Sequence, residues 1–125
     1  MNVLEYVRNQ TKEFLDNMPK SVRKKKGQFF TSLETAVFMA EMFDFSNCGE
    51  EVSILDPGAG TGILTVAFVD RLLKEKSDIR VRITCYETDT EVLPVLKNNL
   101  EYLKNSFKES LTYRILEEDY ILSQS

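Results

Sequence analysis

Val3, Leu4, Val7, Phe14, Leu15 and Met18 recur at near-helical spacing, which predicts an amphipathic helix over residues 2 to 18, stopped by Pro19. A second apolar set, Leu33, Val37, Phe38, Ala40, Met42 and Phe43, predicts another helix reaching about Asp44. Thr31 and Glu34 stand at the T-x-x-E spacing of a capping box, so Thr31 is the expected N-cap and Ser32 the first helical residue. From residue 52 the period changes. Val52-Ser53-Ile54-Leu55, stopped by Asp56-Pro57-Gly58, suits a buried strand ending in a tight turn. Ile63, Leu64, Val66, Ala67, Val69, Leu72 and Leu73 are helical again, and residues 79 to 86 alternate apolar and polar as a strand does.

Thr88-Asp89-Thr90-Glu91 offers several N-caps for a long helix through Val92, Leu96, Leu100 and Leu103 to about Phe107, with Pro94 tolerated near its first turn. Leu111 to Leu116 reads as a third strand. The predicted order is two helices followed by β-α-β-α-β, an α/β class with parallel strands joined by right-handed crossovers. In such sheets ligands bind outside the carboxyl ends of the strands. No internal repeat or low-complexity segment interrupts the pattern.

Composition then narrows the chemistry. A chain of 125 residues supports one core, and the absence of histidine removes Ser-His-Asp and Cys-His nucleophiles and the commonest zinc ligand, so no metal site is expected. Cys48 and Cys85 form no C-x-x-C pair, no apolar run is long enough for a membrane span, and the start lacks a secretory apolar segment; a cytoplasmic, membrane-free protein is expected. The net charge of -4 hides an asymmetry, because Lys20, Arg23, Lys24, Lys25 and Lys26 fall within seven residues without an acid. That run is either a solvated segment or a contact for a phosphate backbone.

The strongest chemical signal is Asp56-Pro57-Gly58-Ala59-Gly60-Thr61-Gly62 between strand and helix. Glycines at alternate positions allow positive φ and close approach of a ligand, and the following helix offers free N–H groups. A phosphate-binding P-loop would end in Gly-Lys-Ser/Thr, and this loop has no lysine. A dinucleotide fingerprint would need glycine or alanine where Ile63 stands, which weakens that reading. Glu87, at the tip of the second strand, is placed where an acid meets ribose hydroxyls, since a carboxylate accepts from both. Asp119 repeats that position after the third strand as an acceptor for an adenine amino group, with Tyr120 offering its ring to the base.

Taken in order, Gly27-Gln28-Phe29-Phe30-Thr31-Ser32, Asp56-Pro57-Gly58-Ala59-Gly60-Thr61-Gly62, Tyr86-Glu87-Thr88-Asp89 and Glu118-Asp119-Tyr120-Ile121 resemble motifs X, I, II and III of the DNA adenine-N6 methyltransferases of bacterial restriction-modification systems. The resemblance implies the N-terminal half of a Rossmann-like class I methyltransferase fold: a helical arm with the motif X-like loop over residues 1–45, and an S-adenosyl-L-methionine-binding part over 46–125. It implies that Phe29 and Thr31 close over the methionine end of the cofactor and that Asp56 lies near its amino group. Gly58 and Gly60 would let the backbone pass close to the methionine and ribose. Glu87 would hold the ribose hydroxyls with Thr88 beside the adenine, Asp119 would take the adenine amino group, and Tyr120 would flank the ring.

Two departures stand out. The family usually has proline where Ser32 stands, and the catalytic Asn/Asp-Pro-Pro-aromatic segment is missing, since the sequence contains no Pro-Pro. No target-recognition domain is expected within these 125 residues either. The expectation is a fragment that is inactive by itself, whose first strand carries an unpaired edge open to self-association. DNA, contacted through the basic run, is the expected partner of the intact protein. The competing expectations are a methyltransferase acting on RNA, protein or a small molecule, a non-catalytic methyltransferase-like binding module and, more weakly, a nicotinamide-dinucleotide domain.

Overall fold

The computed structural model describes residues 1–22 and 30–124. Helix α1 spans Val3–Asp16, with Asn2 as N-cap accepting the Glu5 N–H at 2.9 Å, and α2 spans Leu33–Glu41. Strand β1 (Glu51–Asp56), helix α3 (Ile63–Glu75), strand β2 (Arg80–Tyr86), helix α4 (Leu93–Phe107) and strand β3 (Leu111–Leu116) follow, and the short α5 (Tyr120–Ser123) closes the described chain.

The three strands form one parallel sheet in the order β1-β2-β3. Its register explains how the faces divide. Val52, Val81 and Leu111 lie in one row, Ile54, Ile83 and Tyr113 in the next, and these point to the helices. The alternate rows, Ser53-Arg82-Thr112 and Leu55-Thr84-Arg114, form the opposite face, which is largely open. Arg80 and Arg82 flank Glu51 there at 3.1 and 3.4 Å. The alternation read between residues 79 and 86 is the trace of this half-covered sheet.

The core is continuous across α1, α3, α4 and the covered face, through Val7, Val66, Val69, Leu72, Leu96, Leu100 and Leu103. Full burial of each such side chain contributes roughly 1.5–3 kcal/mol. α1 docks against α4 through Tyr6 stacked on Tyr102 at 4.1 Å, and the Tyr102 hydroxyl donates to the Met1 carbonyl at 2.6 Å. α2 packs on α3, where Arg71 donates to the Ala40 carbonyl and lies over the Phe45 ring.

Three details differ from the sequence expectations. Ser32, and not Thr31, is the N-cap of α2: its Oγ accepts the Thr35 N–H at 3.2 Å, while Glu34 pairs with Arg8 of α1 at 3.2 Å. α2 stops at Glu41, short of Asp44, and Phe43 and Phe45 pack instead around Phe68. At α4 the N-cap is Val92 without a side-chain bond, because Asp89 caps the preceding turn through the Glu91 N–H; Pro94 sits at the second helical position, where no N–H is required.

Candidate cofactor-binding site

β1 delivers Asp56 to the carboxyl edge of the sheet, and the chain turns into α3 through residues 57–62. Gly60 and Gly62 have φ of 57° and 85°, in the left-handed region that glycine enters without steric cost. Gly62 also faces α4 so closely that a Cβ would lie 2.9 Å from Leu96 Cδ1. At Gly58 a Cβ would meet nothing within 4 Å, so the loop opens outward there. The Ala59 N–H donates to the Tyr86 carbonyl at 3.1 Å, tying the loop to the tip of β2.

Glu87 completes that tie. Its Oε1 accepts the Gly60 N–H at 2.7 Å, and Oε2 accepts the N–H groups of Thr88 and Asp89, each at 3.0 Å. A carboxylate has about four acceptor positions, so three are in use and Oε1 keeps one. Gripping both hydroxyls of a ribose therefore requires one backbone bond to be exchanged for a ligand bond. Asp56 is held by Thr65, whose hydroxyl donates to Oδ2 at 2.8 Å, and its Oδ1 lies 3.3 Å from the Gly58 nitrogen. Behind it, burial and then the Asp56 carboxylate push the Cys85 thiol up to about 12, so this cysteine is a neutral packing group.

Gly58, Glu87, Thr88, Asp119 and Tyr120 line one cleft of about 340 Å³. That is within the size range of small-molecule sites, and it places a carboxylate, an aromatic ring and an open backbone around one space. Tyr120 stands edge-on to Tyr86 at 5.1 Å, covering it on the otherwise open face of the sheet. Asp119 caps α5, its Oδ1 accepting the N–H groups of Ile121 and Leu122 at 2.9 and 3.1 Å, so a ligand would meet the other oxygen. The residues thus fit a ribosyl-adenine group. Larger hollows near Lys97 and Tyr113 and near Met18 lie away from the glycine loop and bring together none of the expected site residues.

Thr31 does not line this cleft. It borders a second hollow of about 400 Å³ with Phe30, Thr11 and Ile63. Phe29 lies outside the described residues, as do Arg23, Lys24, Lys25 and Lys26, whereas Lys20 is exposed. Among the described residues, Phe30 approaches the loop: a Cβ at Gly60 would be 3.3 Å from its Cε1. Sequence reasoning also missed Thr11, Thr65 and Asn99. The available signal was polarity on apolar stripes, with Thr11 following Val3 and Val7, and Asn99 standing among Leu96, Leu100 and Leu103.

A parallel sheet with a glycine loop after its first strand and an acid after its second defines a Rossmann-like nucleotide-cofactor domain. Two solved structures share the fold: a provisionally assigned O-methyltransferase from Klebsiella pneumoniae (TM-score 0.57, 15% identity, 99% of this chain and 46% of that one) and a provisionally assigned class I S-adenosylmethionine-dependent methyltransferase from Listeria monocytogenes (TM-score 0.55, 16% identity, 84% of this chain and 35% of that one). Residues 11–114 match the N-6 DNA methylase family, and the chain belongs to that family.

Among curated relatives, the type II methyltransferase M.BsuBI of Bacillus subtilis is 32% identical over 112 residues, covering 78% of this chain and 21% of its own length. M.PstI of Providencia stuartii is 33% identical over 125 residues, covering 97% of this chain and 24% of its own. The chain therefore spans a quarter or less of the length of these relatives.

Proposed function

We propose that this chain is the S-adenosylmethionine-binding part of a site-specific DNA adenine-N6 methyltransferase of a restriction-modification system. The observation that carries the reading is the Glu87 carboxylate, bonded to the glycine loop and facing the same cleft as Asp119 and Tyr120. Its relationship to two type II methyltransferases supports DNA as the substrate class.

The cofactor supplies an electrophilic methyl group, and the residues of this chain orient it. Glu87 accepts from the ribose hydroxyls, Thr88 borders the adenine, Asp119 accepts from its amino group and Tyr120 covers its face. Gly58 and Gly60 leave room for the methionine and ribose to pass the backbone, Asp56 stands toward the amino group, and closure of the methionine end is assigned, on the family resemblance, to Phe29 and to Thr31, which borders the neighbouring hollow. Displacement of the methyl group by the adenine amino nitrogen depends on alignment more than on proton transfer, so holding the donor rigidly is the contribution expected here. The target base would be flipped from its duplex into a pocket. With no Pro-Pro segment in the sequence, the isolated chain is expected to bind cofactor without transferring methyl groups to DNA. Lys20, Arg23, Lys24, Lys25 and Lys26 are the proposed DNA-backbone contact.

Calorimetric titration with S-adenosylmethionine and S-adenosylhomocysteine, with NAD as control, tests the site. Glu87→Ala and Asp56→Ala are expected to weaken binding by about tenfold or more, equivalent to about 1.4 kcal/mol. Undiminished affinity in both variants, or equal binding of NAD, would overturn the reading.

A further inference from the structure

Thr61 stands between the two left-handed glycines of the loop and is almost fully buried. Glycine on both sides gives this stretch wide backbone freedom, so its conformation has to be imposed from outside. Two helices that do not flank the loop in sequence supply the contacts. Thr61 Oγ1 lies 2.8 Å from Thr11 Oγ1 on α1, and Thr11 Oγ1 lies 2.8 Å from the Val7 carbonyl. Each hydroxyl has one proton, so one assignment satisfies both contacts: Thr11 donates to Val7, and Thr61 donates to Thr11. From the other side, Asn99 Nδ2 on α4 donates to the Thr61 carbonyl at 2.7 Å.

Neither residue is what packing alone would select. Thr11 continues the buried stripe of Val3 and Val7, where valine would fill the space. Asn99 is completely buried among leucines and leaves its own Oδ1 without a hydrogen-bond partner among the described residues. A core position that tolerates an unpaired acceptor retains its amide for the bond the other end makes. Here that bond goes to the loop that carries Gly58 and Gly60.

We propose that Thr11 and Asn99 are positioning residues for the cofactor: they clamp Thr61 from both sides and thereby make cofactor affinity depend on the docking of the N-terminal helix. The proposal rests on the cofactor reading of the cleft. Ordering the glycine loop before the ligand arrives removes that ordering from the binding step, so a loosened clamp weakens binding without touching any group that contacts the ligand. α1, remote from the cleft in sequence, becomes part of the binding energetics.

The test uses the whole 125-residue chain with three readouts: S-adenosylhomocysteine affinity by calorimetry, stability by urea unfolding, and amide hydrogen exchange at residues 58–62 without ligand. Thr11→Val is expected to weaken binding by about tenfold and to speed exchange at Gly60 and Gly62, and Thr11→Ser to restore both. Asn99→Ala is expected to act in the same direction, and the Thr11 series stands alone if that variant does not fold. In the pair Thr11→Val with Thr61→Val no buried hydroxyl lacks a partner, so stability is expected to recover while affinity stays low. Affinity that recovers together with stability would reduce the clamp to ordinary packing and overturn the proposal. Unchanged affinity and exchange in Thr11→Val would overturn it as well, with the cofactor reading intact. A wild-type chain that binds no S-adenosylhomocysteine would overturn the cofactor reading itself and the proposal with it.

Discussion

Glu87 was legible in the sequence as an acid at a strand tip, but its bonds to the N–H groups of Gly60, Thr88 and Asp89 were not. Spacing says which residues share an end of a sheet; it does not say that one carboxylate organises two backbone segments there. Cys85 shows the same limit. Its place in the alternation marked it as inward-facing, and only the structure sets it behind Asp56 and Thr65. The unfolded chain ionises this thiol near its ordinary value of 9.0, whereas the folded chain keeps it neutral up to about 12. A raised value means that the contribution is intact below pH 9 and is lost as the pH climbs toward 12. Urea midpoints taken from pH 7 upward are therefore expected to fall in the alkaline range, and more shallowly in Cys85→Ala. A residual slope is expected from Tyr113, raised by burial and by the Glu101 carboxylate that accepts its hydroxyl proton.

Among the elements, every helix and strand expected from the periodicity is present, because each buries a single stripe or face and that constraint writes itself into the spacing of apolar residues. The ends were harder to read. Thr31 with Glu34 and Ser32 with Thr35 offer caps one residue apart, and the choice fell to Ser32 once Glu34 was engaged by Arg8 on another helix. A tertiary contact decided a local question. Ser32→Ala is expected to cost about 1 kcal/mol of stability and Thr31→Ala less than about half of that, measured by urea unfolding of both variants. The start of α4 was misplaced for a related reason: Asp89 spends its side chain on the turn ahead of the helix.

At the scale of the molecule, the helices cover one face of the sheet, and β1 has no strand on its outer side among the described residues. Parallel sheets are ordinarily covered on both faces, and an open edge is a template for pairing. Leu55, on that edge and on the open face, is 49% exposed. The 125-residue chain is expected to self-associate through β1, with a sedimentation mass that rises with concentration, and Leu55→Lys is expected to suppress the rise; a constant monomer mass in the wild type would count against it. Fold class and the order of the elements were readable because alternation and helical period are properties of one chain. The clamp on Thr61 was not, since it joins residues 50 and 38 positions apart.

The tyrosine contacts carry an optical consequence. The chain has five tyrosines and no tryptophan, so its near-ultraviolet signal comes chiefly from phenol rings. Tyr6 and Tyr102 are stacked across the contact between α1 and α4, while Tyr86 and Tyr120 meet edge-on at the mouth of the cleft. Coupled chromophores report their mutual orientation in circular dichroism. One pair is therefore a built-in gauge of whether the N-terminal helix is seated, the other of what occupies the cleft, and neither needs a dye.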